Sequence, residues 1–119
     1  MYIPNDAMHY IEKMIYLPML LIVLEQDYML LEDGAFKLKR PYLSLIEEAR
    51  QQIESDLEIT KAYLKENHIR VVRGKRDELF TEYHFHFAGV LDCRRYSNIR
   101  LRNYSEQLLK EYICKVTTG

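Results

Sequence analysis

A chain of 119 residues with 48% hydrophobic and 29% charged residues, four Gly and three Pro can bury a core without disulfides or metals, which excludes disorder, collagen and linker arrays. Its net charge of −1 hides an asymmetry: residues 1–60 hold five Lys and Arg against eleven Asp and Glu, and residues 61–119 hold twelve against seven. Halves at −6 and +5 imply either a nucleic-acid face or, the reading preferred for a nearly neutral domain, surfaces that attract one another within or between subunits.

In chain order, Asn5 or Asp6 offers a cap for a first helix that runs to about Leu31. Within it the stretch MIYLPMLLIVL, Met14 to Leu24, is apolar on almost every side, so the other elements or a second copy must cover it. Pro18 removes one backbone bond inside this helix and predicts a kink there. The apolar run is well short of the roughly 20 residues of a membrane span. The N-terminus also lacks a basic region and a small-residue cleavage site, so neither membrane insertion nor a signal peptide is expected. Asp33-Gly34 ends the helix, with Gly34 suited to a left-handed C-terminal position.

Pro41 fits the first position of a second helix, which extends to about Asn67. Its apolar stripe is Ile46, Ala49, Ile53, Leu57, Thr60 and Leu64, and its opposite face is acidic, with Glu47, Glu54 and Glu58 prominent. From His68 the period falls to two. Leu79, Thr81, Tyr83, Phe85 and Phe87 share one face, with Phe80, Glu82, His84 and His86 on the other. This predicts a hairpin of residues 69–73 with 79–87, turning near 74–77. The remainder, about Val90 to Val116, is read as a third helix with the stripe Leu101, Tyr104, Leu108, Tyr112 and Ile113. A strand near 96–102 with a helix from Asn103 is the alternative, because SNIRLR alternates and Asn103 with Glu106 has capping-box spacing. The fold class is therefore α+β, mainly helical: three helices with a hairpin between the second and third, in one domain of residues 1–119.

No signature of catalysis accompanies these elements. Nucleophile elbows, dinucleotide fingerprints and phosphate loops are missing, and the glycines are scattered singly. No catalytic residue and no cofactor is assigned. Glu82, His84 and His86 share a strand face and are the only metal candidates, with His68 a further nitrogen and no cysteine expected nearby. Cys93 and Cys114, both placed on the third helix, would lie about 30 Å apart and could not bridge. Two unpaired thiols suit a reducing cytosol.

The densest signal is cationic: Arg70, Arg73, Lys75, Arg76, Arg94, Arg95, Arg100 and Arg102, interleaved with Tyr83, Tyr96 and Tyr104. Cations with aromatics suit nucleic-acid binding, yet no nucleic-acid-binding fingerprint accompanies them. The competing reading pairs these groups with the acidic second helix of the same or a neighbouring subunit. Ten tyrosines and no tryptophan point the same way, toward interfaces. The expectation is thus a non-enzymatic, cytoplasmic interaction protein that forms a homodimer or binds another protein; the alternative is a small nucleic-acid-binding accessory protein.

Three segments, FKLKRPYLSLIEE (36–48), RGKRDELFTEYHF (73–85) and RRYSNIRLRNYSEQLL (94–109), carry a family resemblance. Through them the chain resembles the small uncharacterised proteins of Bacillus and related Firmicutes called YhjD, over most of residues 10–113. The resemblance implies a bacterial cytosolic setting and no assigned activity, so it carries over no functional residue.

Overall fold

The computed structural model describes residues 3–118. Helix α1 (Asn5–Asp33) and helix α2 (Lys39–Glu66) form an antiparallel helical hairpin. Strands β1 (Arg70–Arg76), β2 (Phe80–Phe87) and β3 (Val90–Ser97) follow, and helix α3 (Asn98–Thr118) ends the chain. The architecture is α+β and mainly helical, with three helices and the strands between the second and third. Those strands form a three-stranded antiparallel sheet with β2 at its centre, one strand more than the expected hairpin.

The extra strand occupies the ground assigned to the start of the third helix, and it begins earlier than the alternative strand at 96–102. The cause is the turn before it. Phe87 pairs with Val90 across a two-residue loop in which Ala88 (φ 53°) and Gly89 (φ 75°) are both left-handed. Two such residues give the loop the twist that joins adjacent antiparallel strands. The first turn also lies later than expected, at Asp77-Glu78-Leu79, because β1 continues through Gly74 with a register shift between Arg73 and Arg76.

The caps differ from expectation too. Pro4 precedes α1 and its carbonyl accepts from Met8 N at 2.9 Å; neither Asn5 nor Asp6 caps the helix through its side chain. α1 then continues through Pro18 to Asp33. Gly34 is extended (φ −74°, ψ 167°) rather than left-handed, and the close constraint there is the Phe36 ring, 2.7 Å from where a Cβ would stand. Pro41 sits inside the first turn of α2, which starts at Lys39. A missing N–H costs nothing in that turn.

Two clusters make the core. In the first, the inner face of the sheet, Tyr83 and Phe85, packs on the N-terminal half of α1 (Ala7, Ile11, Ile15, Tyr16) together with Leu64, Ile69 and Leu101. In the second, Leu17, Leu20 and Leu24 of α1 meet Ala49, Ile53 and Leu57 of α2, capped by Tyr112 of α3. Ala49, Ile53, Leu57, Thr60 and Leu64 of the expected α2 stripe are all buried. Tyr10 and Tyr63 stack across the two helices with ring centroids 3.9 Å apart.

Beyond this core the hairpin is a two-helix arm. No residue of α1 after Leu24, and none of α2 before Ala49, is buried. The apolar run is accordingly covered only in part, since Ile22 is 58% exposed and Val23 40%. With the sheet at one end and the arm at the other, the molecule extends 54 × 33 × 19 Å.

Candidate functional site

Three regions hold the groups from which a function could be built: the outer face of the sheet, the cleft beside α3, and the arm. Alternation along β2 buries Thr81, Tyr83 and Phe85 and sends Glu82, His84 and His86 outward. On the neighbouring strands His84 stands opposite Val72 and Cys93, Glu82 opposite Arg95, and His86 opposite Arg70 and Leu91.

The metal candidates regroup accordingly. Glu82, His84 and Cys93 each bring a ligand atom within 4.8 Å of the others, and His86 lies outside this cluster. Cys93 was missed because a helix was expected where β3 runs; the Ala88-Gly89 turn was the signal that could have found it. The two cysteines are thus not on one helix, and both are free and exposed. His84 Nε2 lies 3.9 Å from Glu82 Oε2, too long for a hydrogen bond. The imidazole leans across β1, where a Cβ on Gly74 would meet its Nε2 at 2.4 Å. Gly74 therefore makes room for this ring. Arg95, opposite Glu82, lies over the Phe80 ring, 4.3 Å from its centroid.

The eight cations do not gather on one face. Arg73 and Arg94 flank buried Tyr83 in register, and Arg94 contacts the Phe85 ring, Met8 and Asp92 on the core side of the sheet. Arg70 and Arg95 take the outer-face positions beside His86 and Glu82. Lys75 and Arg76 end β1 beside the bulge, while Arg100 and Arg102 lie exposed on α3, where Arg102 pairs with Glu106. Charges and a bulge on edge strands also discourage edge-to-edge pairing. The expected pairing with α2 within the chain is not found among the described residues. Glu47 and Glu54 pair instead with Arg50 of α2 itself, at 2.9 and 3.5 Å.

Between α1 and α3 lies an open cleft of about 570 Å³ whose walls carry Glu12, Lys13, Tyr16, Asp56, Tyr112 and Lys115. The Tyr112 hydroxyl donates to Asp56 Oδ2 at 2.5 Å. Burial first, then this bond and the charge of Asp56, push that hydroxyl far above its ordinary pKa. Burial, then the Glu12 charge, raises Tyr16 to about 12. Both hydroxyls stay protonated at neutral pH and so act as hydrogen-bond donors, beside the carboxylates of Glu12, Asp56 and Glu111 and the His9 imidazole that share the cleft.

The arm exposes large apolar side chains from both helices and their connection: Ile22, Met29, Leu30 (71% exposed), Phe36, Leu38 (74%) and Tyr42. Ile22 and Met29 are seven residues apart and so share a side of α1. α1 as folded is long and apolar enough to cross a membrane by length and composition, with mean hydropathy 1.5 over its most apolar 18 residues and 28% of them buried. The core helix of a soluble protein meets the same criterion.

A helical hairpin carrying a three-stranded antiparallel sheet and a closing helix defines a small α+β protein, mainly helical. The chain matches the family described as "YhjD protein" over residues 2–117 and belongs to that family. It is 34% identical over 103 residues to the uncharacterised protein YhjD of Bacillus subtilis (strain 168), covering 87% of this chain and 86% of that protein. No solved structure matches it.

Proposed function

We propose that this is a cytosolic, non-enzymatic interaction protein that self-associates through the apolar arm of α1 and α2. The observation that carries the reading is the cluster of exposed Ile22, Met29, Leu30, Phe36 and Leu38 where the helical hairpin has no third layer. A pair of helices without a covering element leaves apolar side chains in water, and exposed apolar area of that kind is a mark of interaction surfaces. A second copy fits best by charge. The acidic first half supplies the whole arm, and the sheet at the opposite end belongs to the basic second half. Two elongated copies side by side and antiparallel set arm against sheet twice under one two-fold axis. Two free, exposed thiols suit a reducing compartment.

Light scattering on the purified chain tests this, with a dimer expected at micromolar concentration. The double variant Ile22→Glu and Leu30→Glu should give a monomer of unchanged helicity. A wild-type monomer at all accessible concentrations would overturn the reading, and cosedimentation of the monomer with lipid vesicles would reassign the arm to a membrane surface. Nucleic-acid binding has less support, because the strand period divides Arg73 and Arg94 from Arg70 and Arg95.

A further inference from the structure

The geometry points to a divalent transition-metal site on the outer face of the sheet, formed by Glu82, His84 and Cys93, with zinc the best-matched ion. Their ligand atoms already lie within 4.8 Å of one another. Rotation about their side-chain bonds, the imidazole swinging back from Gly74 toward β3, closes that spacing onto metal-ligand distances of about 2.0–2.3 Å. The set is chemically selective. A thiolate with an imidazole and one carboxylate favours a borderline-soft ion such as zinc over magnesium or calcium, which require oxygen ligands.

Three features of the surroundings make the cluster more than a chance meeting of polar side chains. Cross-strand register sets Cys93 directly opposite His84, so the ligands rest on paired backbone rather than on a loop. Gly74 leaves open space above β1 in which the imidazole can swing between that strand and Cys93. Arg95, the cation nearest in register to Glu82, is drawn over the Phe80 ring, and Glu82 makes no ion pair with a Lys or Arg among the described residues. Three protein ligands leave a fourth position for water or an exchangeable ligand. Binding takes the proton from the Cys93 thiol into solvent and ties β2 to β3, which stabilises the sheet. The site faces away from the core.

Cobalt substitution reads the site directly. The reduced full-length chain titrated with Co²⁺ is expected to show a thiolate-to-cobalt charge-transfer band that saturates at one ion per chain, and zinc should abolish it and raise the melting temperature. Cys93→Ser should remove the band, and His84→Ala, which deletes a ligand outright, should weaken metal binding by at least the roughly tenfold that loss of an outer-shell partner costs. His86→Ala and Cys114→Ser should leave both unchanged. Cys93 is exposed, so its serine variant is expected to fold, as circular dichroism would verify. Absence of the band in the wild type, its persistence in Cys93→Ser, or its loss in Cys114→Ser would each overturn the proposal.

Discussion

Asn98 does more for this fold than its place at the head of α3 suggests. Its Oδ1 accepts from the buried Thr81 hydroxyl at 2.6 Å, its Nδ2 donates to the Asp77 carbonyl at 2.9 Å, and its backbone N donates to the Leu79 carbonyl at 2.8 Å. One side chain thus ties the start of α3 to the first turn of the sheet. Asn98→Ala strands the Thr81 hydroxyl and should cost about 1–3 kcal/mol, measured by denaturant unfolding. Asp77 organises the same turn, its carboxylate accepting from the backbone of Leu79 and Phe80, and those two bonds hold its pKa below the ordinary value. The tyrosines set the alkaline limit. Burial, then the charge of Glu12, raises both Tyr16 and Tyr96 from 10.0 to about 12. The folded state therefore binds their protons more tightly than the unfolded chain does. The stability this represents is complete below pH 10 and declines as pH rises through 12, so melting temperature should fall over that window.

Among the elements, the β2–β3 hairpin is where local conformation is most strained. Ala88 holds φ at 53°, a region that costs an alanine about 1–2 kcal/mol, whereas asparagine adopts it readily. Ala88→Asn creates the Asn-Gly pair preferred in such turns and should stabilise the protein by about 0.5–1 kcal/mol, seen as a higher denaturation midpoint. The long helices owe their length to opposite causes. α2 is held by a regular buried stripe from Ala49 to Leu64. α1 is apolar on nearly every side from Met14 to Leu24 but extends past the sheet and α3, so its last turns, paired only with α2, are helical without being buried.

Over the whole molecule, a radius of gyration of 16.3 Å exceeds the roughly 13.5 Å of a compact chain this long. The excess comes from the arm, which carries exposed apolar side chains away from the sheet. In the proposed antiparallel dimer, burial of the arm supplies affinity while opposed charge at the two ends sets orientation. Raising salt should therefore weaken association through screening without abolishing it, and sedimentation equilibrium at several ionic strengths would register the change.

Periodicity by itself determined the first two helices, the body of the third, the two faces of β2 and the α2 stripe, because repeats of 3.6 and 2 follow from backbone geometry and are written into side-chain order. It also placed Glu82 and His84 side by side. Tertiary structure decided the rest. β3 was hidden because its alternation mixes Asp92, Arg94 and Tyr96 on one side with Leu91, Cys93 and Arg95 on the other, which leaves no apolar face to read. With β3 hidden, nothing local could bring Cys93 to His84, whose meeting depends on cross-strand register. The exposure of Ile22 and Leu30 was equally illegible, since an apolar residue is buried only where another element reaches it, and α3 closes over the core at Tyr112 without covering the arm.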